Sequence, residues 1–182
     1  MSLDSKELED LARTLSRHPA VLEKARIDYA YARAEALSGN IALGDDCAAI
    51  PDPVAGGHLL FAAEGMLPSF VESDPWFAGY SAVMVNLSDV AAMGGRPIAI
   101  TDVIVSPNQQ TFDAIWDGMR SASRAYGVPI VGGHTTKVGQ DQPAGLATSV
   151  LGRASAKLIT SFDARPGDQL TLAIDMNGSY RN

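Results

Sequence analysis

The clearest signal in the chain is the apolar periodicity between residues 76 and 93. On a helix of 3.6 residues per turn, Trp76, Phe77, Tyr80, Val83, Met84, Leu87, Val90 and Ala91 share one broad face. That recurrence at i, i+3, i+4 and i+7 predicts a core-packed helix. Asp74 and Pro75 supply its N-cap and first residue, and Gly94-Gly95 ends it. Gly79, Ala82, Asn86, Asp89 and Met93 fall on another flank, small at its start and polar further on. A carboxylate three residues after an asparagine, on a flank cleared by small residues, leaves room for a ligand or metal. The plainer reading is a solvated acid on a surface helix.

The same periodicities place the other elements. Residues 4–17 read as a helix with Leu8, Leu11 and Leu15 on one stripe. A second helix is predicted from about Pro19 to Leu37, striped by Leu22, Ala25, Tyr29, Ala32 and Ala36 and stopped near Gly39. This N-terminal helical segment, residues 1–40, is expected to pack against the main domain or a partner subunit. The main domain runs from 41 to 182. His58–Ala63 reads as a short strand ending in Glu64-Gly65, and residues 66–73 as a loop. Pro97–Val105 is a long apolar strand with Asp102 its one acid. Thr111–Tyr126 is a helix with Phe112, Ile115, Trp116, Met119 and Tyr126 facing the core. Val128–Val131 reads as a buried strand, and Gly145–Gly152 and Gln169–Ile174 as two more. Mixed elements with direct strand-to-strand links favour an α+β domain over a regular doubly wound sheet.

Composition narrows the class. At 182 residues, 46% apolar and 19% charged, the chain can bury a sizeable core. A net charge of −7 argues against nucleic acid as the main partner, since phosphate backbones select basic surfaces. Cys47 is the only cysteine, so no internal disulfide is possible and a cytoplasmic setting is expected. No stretch approaches the roughly 20 apolar residues of a membrane span.

Three segments carry candidate chemistry. In Leu43-Gly44-Asp45-Asp46-Cys47-Ala48, adjacent carboxylates repel, and a nearby cation or an Asx turn would each account for them. Glu64 presents an acid at the end of a strand. Gly132-Gly133-His134-Thr135-Thr136-Lys137 follows a strand. It reads either as a tight turn or as an anion cradle with hydroxyls and a cation at hand. It lacks phosphate-loop spacing. The oxygen set Asp45, Asp46, Glu64 and Asp89 suits Mg²⁺, whereas three histidines and one cysteine argue against zinc.

Taken in order, Gly44-Asp45-Asp46-Cys47-Ala48, Glu64, Asn86-Leu87-Ser88-Asp89 with Ala92-Met93-Gly94-Gly95, and Gly132-Gly133-His134-Thr135 resemble the aminoimidazole ribonucleotide (AIR) synthetase superfamily. The likeness covers about residues 41–174 and is closest to the thiamine-monophosphate kinase family. It implies an AIR-synthetase-like N-terminal domain: a mixed sheet flanked by helices, a homodimer formed through the sheet, and ATP at the dimer interface. It implies Mg²⁺ held by Asp45, Asp46 and Asp89, with Glu64 where the kinase carries aspartate. It places Gly132, Gly133, Thr135 and Lys137 near the phosphates, with His134 and Thr136 beside them. Gly44, Asn86, Ser88, Gly94 and Gly95 complete the nucleotide-binding set. The implied function is ATP- and Mg²⁺-dependent phosphoryl transfer to a small acceptor. The alternatives are a non-catalytic nucleotide-binding or maturation subunit, or a selenophosphate-synthetase-like or AIR-synthetase-like reaction. His134 stands where the kinase carries aspartate and looks more like selenophosphate synthetase. The loop Gly65–Phe70 lacks the kinase family's Asn-His pair. The superfamily's second α+β domain is absent from this chain.

Overall fold

A computed structural model describes residues 4–23, 27 and 44–178. The elements are α1 (Ser5–Ser16), β1 (Ala48–Pro51), β2 (His58–Met66), α2 (Pro68–Ser73), α3 (Pro75–Ala92), β3 (Arg96–Ser106), α4 (Gln109–Tyr126), β4 (Ile130–Lys137) and β5 (Gly145–Ala154). The architecture is α+β. Five strands form one mixed sheet in the order β1-β2-β5-β3-β4. Only β3 and β4 run parallel; the other pairings are antiparallel.

Both long helices lie on one face of this sheet, α3 over β2 and β5 and α4 towards β3. The strands alternate accordingly. Leu60, Ala62, Ile100, Ile104, Leu146 and Val150 point under the helices and are buried. The opposite face carries Phe61, Val103 and Leu151, which are 49%, 45% and 38% exposed. No described element covers it.

α3 buries Tyr80, Val83, Leu87 and Val90, as its apolar face predicts. Its small flank does something the sequence reading did not anticipate. Gly79, Ala82 and Asn86 are also buried, so that part of the flank is a packing surface, and Asp89 one turn further on stays half-buried. A Cβ at Gly79 would collide with the Ile115 carbonyl, and one at Gly118 with the Trp76 carbonyl. The two glycines let α3 and α4 cross with their backbones nearly in contact.

Several predicted elements differ. Residues 68–73 are the short helix α2, begun by Pro68 at its first position, and not a loop. β2 runs on to Met66, so Glu64 lies inside the strand and not at its end. The strand predicted as buried over 128–131 is instead 130–137, exposed along nearly its whole length at the edge of the sheet. Residues 169–174 form no strand; Leu170, Leu172 and Ile174 are exposed with no partner strand among the described residues. α1 is capped by a reciprocal Asp4–Glu7 box but buries no residue, so its expected packing on the main domain is not seen among the described residues. Residues 19–23 and 27 are helical, and the rest of the predicted second helix lies outside the described residues. No helix among the described residues is long and apolar enough to cross a membrane.

Candidate functional site

The acids converge where β1 meets the end of α3. Gly44 takes φ +97°, a left-handed turn that suits glycine, and delivers Asp45 and Asp46 just ahead of β1. Asp45 is half-buried. One of its oxygens accepts from the Asp46 N–H at 3.0 Å, the other from the Ser161 N–H at 3.0 Å. The second bond belongs to a strap, residues 155–163, that also docks through the Ile159 N–H on the Met93 carbonyl at 3.2 Å. Asp89 lies one turn from the end of α3 and is half-buried.

Cys47 sits among these acids. Its N–H donates to the Met93 Sδ at 3.0 Å, joining β1's lead-in to α3's end. Burial, then the charges of Asp89, Asp46 and Asp45 in that order, push its thiol up to about 12. The three carboxylates therefore act on one point. Their all-oxygen chemistry suits Mg²⁺. Among the described residues, however, no three such side chains stand close enough together to hold a metal ion as they are. The donors fit the ion in kind. Drawing them together is left to the ligand oxygens that a Mg²⁺ ion keeps in its shell.

The other candidates fall elsewhere. Asn86 is fully buried; its Nδ2 donates to Thr148 Oγ1 at 2.7 Å and to the Ala82 carbonyl at 3.0 Å. Ser88 is exposed and its hydroxyl donates back to the Met84 carbonyl. Gly94 turns left-handed at φ +73° to leave α3. A Cβ at Gly95 would collide with Leu60 Cδ1, so this glycine admits a close contact in the core.

The segment Gly132–Lys137 is not a loop cradle. It is β4 itself, and its residues alternate between faces. Gly133 pairs with Asp102, Thr135 with Ile104 and Lys137 with Ser106 on the helix side. His134 pairs with Val103 on the open side, and its Nε2 lies 3.1 Å from Thr136 Oγ1. β4 and β1 are opposite edges, four strand spacings apart, or about 19 Å at roughly 4.8 Å each. Within one chain the acids and the glycine–threonine strand are not brought together. Glu64 is exposed, in the cross-sheet row that continues through Thr148, Asp102 and Gly133.

Asp102 is the one acid of β3 and faces the helix side of the sheet. It is 7% exposed, and burial raises its carboxyl above the ordinary range. Its signal was the alternation Ile100, Asp102, Ile104, which puts one acid on a buried strand face.

The fold and these positions can be set beside known proteins. An uncharacterised protein of Synechocystis is 49% identical over 179 residues, covering 96% of this chain and 54% of that protein. Thiamine-monophosphate kinase of Escherichia coli is 31% identical over 144 residues, 75% of this chain and 42% of that enzyme. The solved structure of AaThiL complexed with AMPPCP and TMP has a TM-score of 0.63 at 23% identity, covering 77% of this chain and 45% of that one, a likeness of fold. The chain spans about half the length of the curated relatives it matches. Residues 44–154 match the family described as AIR synthase related protein, N-terminal domain, and the chain belongs to that family.

Proposed function

We propose that the chain is the nucleotide-binding half of an ATP- and Mg²⁺-dependent enzyme that transfers a phosphoryl group to a small acceptor in the cytoplasm. The observation that carries this reading is the gathering of Asp45, Asp46 and Asp89 around Cys47. Similarity to thiamine-monophosphate kinase supports the reaction class. Asp45, Asp46 and Asp89 would hold the metal, and Glu64 is a fourth carboxylate in the candidate set. Mg²⁺ bound there supplies charge neutralisation between phosphoryl oxygens. The chain's own part is to position. The Ser161 N–H fixes one Asp45 oxygen, and the Cys47–Met93 link fixes the acid loop to α3. The thiol, uncharged at neutral pH, is no nucleophile.

Two copies of the chain would complete the site. The exposed Phe61, Val103 and Leu151 give the open sheet face an apolar surface suited to a second copy. A two-fold axis along the strands sets the β1 edge of one protomer against the β4 edge of the other. Gly132, Gly133, Thr135, Thr136 and Lys137 would then approach the partner's acids. A second reading, a non-catalytic nucleotide-binding subunit, is favoured by His134, which is tied to Thr136 where the kinase resemblance calls for a carboxylate.

Calorimetry with a non-hydrolysable ATP analogue tests this. Binding is expected to require Mg²⁺ and to weaken about tenfold or more in Asp89→Asn. Mg²⁺-independent binding, or none by a folded dimer, would sink the metal-nucleotide reading. Tight binding without turnover of any phosphate acceptor would favour the second.

A further inference from the structure

A cleft of about 240 Å³ opens between α4 and the β3–β4 edge of the sheet. Asp102, Ile104, Ile130 and Thr135 line it from the strands, and Phe112 and Trp116 from the helix. It lies at the opposite edge of the sheet from the same chain's Asp45 and Asp46, and its β4 wall includes Gly132, Gly133 and Thr135, residues of the strand proposed above to approach a partner's acids.

Its one acid lacks a structural reason. Buried carboxyl groups are normally hydrogen-bonded or ion-paired. Asp102 is 7% exposed, and among the described residues no hydrogen bond or ion pair reaches its carboxyl, whose oxygens keep their contact with the cleft. Its neighbours along the same strand face, Ile100 and Ile104, are the apolar residues such a position ordinarily holds. The chain also makes room for it. A Cβ at Gly133 would collide with the Asp102 carboxyl, so the glycine lets the group lie across β4 into the cleft. Opposite, the Phe112 and Trp116 rings lie nearly parallel, 11° apart with centroids at 6.4 Å.

We propose that this cleft binds a small planar nitrogen base of the amidine type, with its paired N–H donors on the Asp102 carboxylate and its flat face against Trp116. A carboxylate accepts two parallel N–H bonds from such a fork, which satisfies both oxygens at once. An aromatic wall attracts a flat cation and repays its lost hydration. The volume suits one ring and falls below the range of drug-sized pockets, so a nucleotide or peptide is too large. A divalent cation would need several more oxygen donors than the lining offers. An anion would face the carboxylate. Thr135, also in the lining, adds one hydroxyl as a further polar group for the base.

Titration of the full chain with benzamidine, followed by amide NMR shifts, tests the assignment. Shifts are expected to saturate below about 10 mM, and to cluster at residues 102–104, 112–116 and 130–135. Benzoate, the same ring with the opposite charge, is expected not to bind. Asp102→Asn keeps the shape and is expected to weaken benzamidine about tenfold or more. Trp116→Leu is expected to weaken it too, and serves if Asp102→Asn does not fold. The wild-type shift map stands without either variant. Absent shifts, shifts elsewhere, equal binding of benzoate, or undiminished binding by a folded Asp102→Asn would each overturn the proposal.

Discussion

Asn86 and Thr148 meet side chain to side chain inside the core, with Asn86 Nδ2 donating to Thr148 Oγ1 at 2.7 Å. The Thr148 hydroxyl in turn donates to the Ala82 carbonyl at 2.8 Å, so helix α3 and the central strand β5 are joined by a buried polar chain. Asn86→Ala is expected to destabilise by about 2–3 kcal/mol, from a cavity and a lost hydrogen bond together. Thr148→Val should cost less, because Asn86 keeps the Ala82 carbonyl. Urea unfolding of the double-mutant cycle should give a coupling of about 1 kcal/mol. Strict additivity would show that the two side chains do not act together.

Gly118 is a different kind of test. Alanine ordinarily improves a helix interior by about 1 kcal/mol over glycine. Here its methyl would strike the Trp76 carbonyl, so Gly118→Ala is expected to destabilise by about 1–3 kcal/mol net. Ser121→Ala, on the same helix, should be nearly neutral by comparison. A more stable Gly118→Ala in thermal melts would mean that α3 and α4 do not cross this closely.

The Cys47 thiol, at about 12, is essentially all protonated at pH 8, with a thiolate fraction of about 10⁻⁴. Native protein should therefore resist iodoacetamide at pH 8, and label fully in urea. The folded value is raised, so the thiol's contribution to stability is whole below the ordinary cysteine range and is lost as pH climbs towards 12. Cys47→Ala should flatten the alkaline limb of the stability profile. Rapid labelling of native protein would place Cys47 outside the core.

For Asp102 the folded carboxyl is likewise raised, by burial. The native state holds its proton more tightly than the unfolded chain does. Its contribution is therefore present below the ordinary carboxylate range, and falls away as pH rises through the raised value. No other titratable group lines the cleft, and Glu64 is the only other acid in its cross-sheet row. Asp102→Asn should be at least as stable as wild type at pH 7 and should lose that part of the pH slope. A sharp loss of stability at pH 7 would mean that the carboxylate has a partner.

What was legible in the sequence depended on who supplies a residue's partners. α3 and α4 carry their own signal, because the Asp74 cap of α3 and the apolar stripes of both helices are local. Strand β4 was misread because its Gly-Gly and Thr-Thr pairs look like a turn; a neighbour, β3, holds them extended, and Asp102 needs the space a glycine leaves. Residues 169–174 erred the other way. The alternation Leu170, Leu172, Ile174 is a strand's pattern without a strand's neighbour among the described residues. At the candidate site, the motifs named Asp45, Asp46 and Asp89, and the fold brings these three to Cys47. It withdraws Asn86 into the core, because a motif's spacing says which residues share a helix but not which side of it faces water.

The order β1-β2-β5-β3-β4 puts the strand made last by the ribosome in the middle of the sheet. Until Gly145–Ala154 has been synthesised, β2 and β3 have no bridge between them, and a nascent chain would present an antiparallel β1–β2 pair and a separate parallel β3–α4–β4 unit, each with raw edges. Such late, long-range closure is slow by the usual relation of topology to rate. The domain should thus acquire its structure only after translation has passed residue 154, and depend more than most on protection from aggregation until then.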